Sequence, residues 1–96
     1  MDDIRHHATA PPGLEPEFEP LTERDLAYLV AQAVADRRNE LGWSQGELGV
    51  RTGMKQPHIS RLESANKLPS LTTLLRIANA MGVKLNVTLE KDQKTL

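Results

Sequence analysis

The sequence predicts an all-α domain of about four to five helices, followed by one C-terminal β-strand that pairs across a dimer. Three observations carry this expectation. Apolar side chains recur at helical spacing in four stretches, each opened by a capping side chain or a first-turn proline and most of them closed by glycine. A last stretch changes period: Val83, Leu85, Val87 and Leu89 alternate with Lys84, Asn86, Thr88 and Glu90. Finally, 96 residues with no cysteine and one each of Trp, Tyr and Phe make a single small core of Leu, Val, Ile, Ala and Met, for which association is a plausible source of added stability.

Taken in order, residues 1–20 hold four of the six prolines (Pro11, Pro12, Pro16 and Pro20) among alternating acids. Such a segment buries too little apolar surface to offset its ordering entropy, so it reads as a flexible or partner-binding leader. Leu14 and Phe18, with Leu21 just beyond, are apolar anchors that could dock on a basic partner. The domain proper spans residues 21–82. Thr22 and Asp25 form a short-armed capping box before Leu26, Leu29, Val30, Ala33, Val34 and Leu41, which gives a first helix from about Thr22 to Leu41, closed by Gly42. Ser44 and Glu47 form a second capping box, Trp43 and Leu48 stand at the positions of a hydrophobic staple, and this helix runs from about Gln45 to Thr52. It carries two glycines, Gly46 and Gly49, each costing roughly 1 kcal/mol against Ala in a helix interior.

After the turn at Gly53, the apolar residues Ile59, Leu62 and Ala65 lie three apart and define a third helix from about Gln56 to Ser64, with Pro57 in its first turn. Because Pro57 disfavours helical geometry at the residue before it, the helix can begin at either position. Ser70 caps a fourth helix whose Leu71, Leu74, Leu75, Ile77, Ala78 and Met81 make a broad apolar stripe ending at Gly82. Residues 83–90 form the strand. A lone strand leaves its backbone groups unpaired, and pairing with a second copy of the chain is the economical solution. Residues 91–96 are a polar, frayed tail.

Composition excludes several classes. Without cysteine there is no disulfide framework, thiolate metal site or cysteine nucleophile, and the chain fits a reducing cytoplasm. No apolar run approaches membrane-spanning length, and no hydrophobic stretch follows the first charges. No cofactor or metal is expected. Glu15, Glu17 and Glu19 sit in a leader that cannot hold a catalytic geometry, Ser44 and Ser60 lack a triad, and His58 lacks partners at ligand spacing, so the chain is read as a non-enzyme. The formal net charge of -1 conceals a division. Residues 1–27 carry seven acids against two arginines, a net -5, while residues 28–96 carry ten basic and six acidic side chains, a net +4.

The stretch from Gln45 to Ser64, QGELGVRTGMKQPHISRLES, is a helix-turn-helix pattern. Gly49 is the small residue where two helices touch, Gly53 makes the turn, and Leu48, Met54, Ile59 and Leu62 face a shared core. Gly46 has no such explanation. Lys55, Gln56, His58 and Arg61 place hydrogen-bond donors suited to base edges or phosphate on one short helix. From Gly42 to Leu68 the four bases Arg51, Lys55, Arg61 and Lys67 oppose only Glu47 and Glu63.

The run LGWSQGELGVRTGMKQPHISRLE followed by PSLTTLLRIANAMG resembles the XRE family of helix-turn-helix proteins, of phage repressor and Cro type. The flanking EPEFEPL and VKLNVTLE are similar to those of HigA-type antitoxins, partners of RelE-like ribonuclease toxins. The resemblance implies a repressor-like fold in which Lys55, Gln56, His58 and Arg61 lie at bases or in the groove. It places Ser44, Gln45, Ser60 and Lys67 on phosphates, the strand residues Val83, Leu85, Val87 and Leu89 at the dimer seam, and Leu14, Phe18 and Leu21 against a toxin. Two departures stand out: Lys55 occupies a position where a Ser or Thr cap is usual, and Thr52 one where an aliphatic is common. The function expected is a sequence-specific repressor of a palindromic operator, working as a homodimer and as the antitoxin of a HigBA-type pair that regulates its own operon. The rivals are a stand-alone regulator without a toxin and a protein-interaction module that binds no DNA.

Overall fold

The computed structural model describes residues 19–91 and contains four helices: α1 (Glu23–Glu40), α2 (Gln45–Thr52), α3 (Gln56–Glu63) and α4 (Leu71–Ala80). Local chemistry sets their limits. At the head of α1, the Thr22 hydroxyl accepts the Asp25 N–H at 3.0 Å while the Thr22 N–H donates to the Asp25 carboxylate at 3.2 Å, so the short-armed capping box is complete. Ser44 and Ser70 cap α2 and α4 in the same way, through the N–H groups of Glu47 and Thr73. The second half of the expected box at α2 is absent, because the Glu47 carboxylate accepts from Arg51 Nε at 2.6 Å instead.

Three of the helices end alike. Trp43, Met54 and Val83 donate backbone N–H groups to the carbonyls of Arg38, Gly49 and Ala78, five residues back. Gly42, Gly53 and Gly82 supply the left-handed residue that this closure requires. The end of α3 differs. There Ala65 takes the left-handed conformation at φ 61°, which an L side chain adopts at a cost of about 1–2 kcal/mol. Ala65 therefore lies beyond the helix as its terminator and not within its apolar stripe.

In the core, α2 packs on α3 and α4, and α1 on α3. Val34, Leu48, Met54, Ile59, Leu62, Leu74, Ile77 and Met81 form one buried cluster, with Val30, Leu41, Trp43 and Leu85 packed against it. Trp43, just ahead of α2, packs against the cluster that contains Leu48.

Two apolar stripes differ from expectation. In α1 the buried set is Ala27, Ala31 and Val34, whereas Leu26, Leu29 and Ala33 are exposed. Consecutive residues stand about 100° apart around a helix, so a helix apolar on both flanks turns toward the body the flank whose small side chains allow the closer approach. In α4, Leu74, Ile77, Ala78 and Met81 are buried, but Leu71 and Leu75 are exposed.

Residues 83–90 form no strand, and the described residues contain no β-structure. A strand exists only by pairing, and the described residues offer no second extended segment here. Of the four residues expected on its buried face, only Leu85 packs on the core; Val83, Val87 and Leu89 are exposed.

Candidate nucleic-acid interface

The candidate surface is built around the approach of α2 and α3. A Cβ placed on Gly49 would lie 2.6 Å from the carbonyl oxygen of Met54, closer than Cβ atoms come to a carbonyl oxygen, so any larger residue at this crossing must shift the backbone of the turn. On Gly46 a Cβ would meet only the Ser44 hydroxyl at 3.7 Å, and nothing in the packing explains that glycine. Thr52, buried at the end of α2, donates its hydroxyl to the Leu48 carbonyl at 2.8 Å and accepts the Met54 N–H at 3.3 Å. An aliphatic there would fill the same space without stitching the turn.

With the turn fixed, α3 buries Ile59 and Leu62 and exposes Lys55, Gln56, His58 and Arg61. Pro57 sits in its first turn, and Lys55 stands at the N-cap without a side-chain cap hydrogen bond, leaving its ammonium free to extend outward. His58 and Arg61 line an open groove of about 550 Å³ whose far wall is Lys67, Ser70 and Thr73. Ser44 spends an acceptor on its own helix, and Ser60 is half-buried.

Behind this surface stands a chain of hydrogen bonds linking α1, α2 and α3. Arg38 donates to both oxygens of Glu63, through Nε at 2.7 Å and through the second guanidinium nitrogen at 2.9 Å, and to the Trp43 carbonyl at 2.7 Å. Both side chains are largely buried, with 13% and 7% of their surfaces exposed. The hydrogen bonds that Arg38 donates to Glu63 raise the Arg38 pKa against the opposing effect of burial, so its charge persists across all ordinary pH. Gln45 donates to Glu63 at 3.1 Å, and Gln56 in turn donates to Gln45 at 2.9 Å. Sequence reading singled out Gln45 and Gln56 but missed Arg38 and Glu63. Their signal was present: each lies four residues along from a buried apolar side chain, Val34 and Ile59, so two opposite charges share the faces that turn toward the core.

The electrostatic result is a division between used and unused charge. Glu47 is held by Arg51, which also stacks over the Trp43 ring at 4.5 Å, and Glu63 is held by Arg38. Lys55, Arg61 and Lys67 are exposed and form no ion pair among the described residues. Glu47 and Glu63 thus neutralise arginines away from α3's outer face, which presents donors and positive charge. No cluster of His, Asp or Glu able to hold a metal occurs among the described residues, and no described helix is long and apolar enough to cross a membrane. Of the other expected sites, Leu14 and Phe18 lie outside the described residues, and Leu21 is exposed just ahead of α1.

Residues 34–87, which span the last part of α1 through α4 and the segment after it, match the helix-turn-helix family model HTH_3. The chain belongs to the XRE-type helix-turn-helix family. An HTH-type transcriptional regulator of Haemophilus influenzae is 33% identical over 69 residues, covering 72% of this chain and 70% of that protein. Antitoxin HigA1 of Mycobacterium tuberculosis is 30% identical over 90 residues, 93% of this chain and 60% of its own length. Among solved structures, one from a HipA-HipB-O2-O3 complex superposes with a TM-score of 0.59 at 27% identity, covering 77% of this chain and all of that one. These relatives are transcriptional regulators and antitoxins.

Proposed function

We propose that this helix-turn-helix regulator is a sequence-specific DNA-binding repressor, acting as a homodimer and as the antitoxin of a HigBA-type pair. The observation that carries the DNA reading is the outward face of α3, where Lys55, Gln56, His58 and Arg61 are exposed together and the acids next to them are bound elsewhere. In this reading α3 enters the major groove, Gln56 and Arg61 read bases with Lys55 and His58 beside them, and Ser44, Gln45, Ser60 and Lys67 hold phosphates. Two copies, joined through residues 83–89, would set two such helices about 34 Å apart on a palindromic operator. Exposed Val83, Val87 and Leu89 support that joint, since no described residue of the same chain covers them.

The antitoxin role is supported by the likeness to HigA1 over 93% of the chain, well beyond the helix-turn-helix, and by the likeness to a structure from a complex that includes HipA. The net charge of -5 over residues 1–27 suits a basic toxin of RelE-like ribonuclease type, against which Leu14, Phe18 and Leu21 would dock. A stand-alone regulator is the second reading, favoured by the Haemophilus influenzae relative.

Binding to duplexes from upstream of its own gene, followed by fluorescence anisotropy across a salt series, tests the DNA reading. Gln56→Ala and Arg61→Ala should each cost about 1–3 kcal/mol and flatten preference at one position. Lys67→Ala should weaken all sequences alike and lower the salt slope by about one. Unchanged affinity and preference in both Gln56→Ala and Arg61→Ala would show that α3 is not the reading helix. Co-purification with the product of the neighbouring gene, with an RNA-cleavage assay, separates antitoxin from stand-alone regulator.

A further inference from the structure

A second cleft opens on the other side of the loop that joins α3 to α4, away from the outer face of α3. Arg24, Ala27 and Tyr28 from the head of α1 line one wall and Asn66, Lys67 and Leu68 of the loop line the other, around an open volume of about 580 Å³. We propose that residues 15–18 of this same chain dock there, with their carboxylates on Arg24 and Lys67, and that they thereby compete with operator phosphate for Lys67. The docking needs nothing from the DNA reading above; the competition rests on it.

The cleft suits an anion with an apolar side. Arg24 and Lys67 are exposed and form no ion pair among the described residues, while Glu23, in the first turn of α1, is the one acid in its lining. Beside the cations lies apolar surface: Ala27 is buried, Leu68 is half-buried, and Tyr28 is 59% exposed. Ala65, left-handed at φ 61°, turns the chain out of α3 into this wall. Lys67 belongs also to the groove beside His58 and Arg61. A carboxylate that holds Lys67 on the α1 side therefore takes it from that groove.

Residues 15–20 alternate acid with apolar, as Glu-Pro-Glu-Phe-Glu-Pro. Laid out extended, such a strip sets Glu15, Glu17 and Glu19 on one edge and Pro16, Phe18 and Pro20 on the other, which matches a cleft of two cations and an aromatic ring. The strip also starts in the right place. Glu19 stands four residues ahead of Glu23, and each residue spans at most about 3.6 Å, so residues 15–18 reach the first turns of α1 without a long loop. A tether this short holds its ligand at an effective concentration on the order of millimolar, so contacts too weak to unite separate molecules suffice. The prolines, by fixing their own backbone angles, lower the entropy lost on docking. Surface ion pairs are individually weak, which keeps the docking reversible and sensitive to salt. Any partner that captures residues 15–18 returns Lys67 to DNA by linkage.

The test uses full-length protein throughout. Docking is read without DNA, from the backbone amide shifts of Arg24, Tyr28, Asn66 and Lys67 in NMR spectra of wild type and of a triple variant, Glu15→Gln with Glu17→Gln and Phe18→Ser. Asn66 and Lys67, remote in sequence from the substitutions, are the decisive pair. Their amides should differ between the two proteins at low salt and converge as salt approaches about 1 M, where the Debye length falls to about 3 Å. Competition is read by anisotropy on the duplex from upstream of the gene. There the triple variant should bind about threefold to tenfold tighter than wild type at low salt, with the advantage shrinking as salt rises. Arg24→Gln supplies the sharper sign. Removing a cation weakens DNA binding if its charge serves DNA, whereas here it should tighten binding by about twofold or more, and only while Glu15 and Glu17 are intact.

Identical Asn66 and Lys67 amides in wild type and triple variant at low salt overturn the docking, whatever the duplex shows. A triple variant that binds tighter while Arg24→Gln weakens binding equally in both backgrounds overturns it too, because the acids then act by repulsion at a distance. Responsive amides with equal duplex affinities in wild type and triple variant overturn the competition for Lys67. Responsive amides in proteins that bind no duplex at all remove the DNA reading and leave the docking in place.

Discussion

The α2–α3 pair and the flank formed by α1, α4 and residues 83–89 draw on the same apolar side chains and end in different states. Between Gln45 and Glu63, Leu48 and Ile59 have no exposed surface, and Val50 is the one large apolar residue left in water. Arg38 and Glu63, the charges buried beside that pair, are matched to each other. On the flank, Leu26, Leu29, Leu75, Val83, Val87 and Leu89 are exposed, and Val30, Ala33, Ala78 and Leu85 line an apolar groove of about 180 Å³ between α1, α4 and the last segment. The first region is complete within one chain. The second leaves apolar side chains uncovered by any described residue, and it is the surface that the proposed dimer would use.

The largest effect should come from Arg38→Ala, which leaves Glu63 buried without its cation and detaches α1 from the Trp43 carbonyl. A loss of about 3 kcal/mol or more is expected in urea unfolding. Replacing both members by methionine should recover much of it, because the desolvation cost of the pair disappears with the pair. A loss under about 1 kcal/mol would mean that the α2–α3 region stands without α1. Arg38's raised pKa adds no pH dependence around neutrality: the stability from its charge is intact at neutral pH and, on the alkaline side, is lost only as pH climbs through that raised, strongly alkaline value.

Next in size is Gly49→Ala. Alanine favours a helix interior by about 1 kcal/mol over glycine, yet a methyl group 2.6 Å from the Met54 carbonyl must push the turn apart, so a net loss of about 1–3 kcal/mol is expected, read from the same unfolding curves. The smallest change in the fold should follow Leu29→Lys combined with Val87→Lys on the flank. Because both side chains are already exposed, the folded monomer should shift by no more than about 0.5 kcal/mol. Sedimentation velocity should nevertheless show the loss of dimers, and a dimer that survives would place the joint elsewhere.

What was legible in the sequence follows from range. Caps, glycine closures and the α2–α3 turn are settled by residues within five positions of each other, and Thr22, Ser44, Ser70, Gly42, Gly53 and Gly82 all act where the sequence placed them. The buried side of α1 was not legible, since Leu26–Leu29–Ala33 and Ala27–Ala31–Val34 are both apolar rows and only the body they meet chooses between them. The strand failed for a related reason: alternation at Val83–Leu89 describes a face, while pairing needs a second segment. Lys55, Gln56, His58 and Arg61 were readable from the pattern of α3. The support behind them was legible only in part: spacing from Val34 and Ile59 marks Arg38 and Glu63 as core-facing, but they are 25 residues apart and no local rule pairs them.

One contact at the far end of α1 bears on geometry at a larger scale. Arg37 Nε donates to the Met81 carbonyl at 3.0 Å, where α4 ends, while the N–H of Val83 closes on Ala78 and Gly82 turns the chain at φ 71°. The direction in which the chain leaves α4 is thereby keyed to the axis of α1. If two copies join through residues 83–89, this anchorage is a protractor: it sets the angle between the two bodies before either meets DNA. Loosening it with Arg37→Met would leave each reading surface intact and blur the distance between them, so that tolerance for altered half-site spacing would rise while the preferred bases stayed the same.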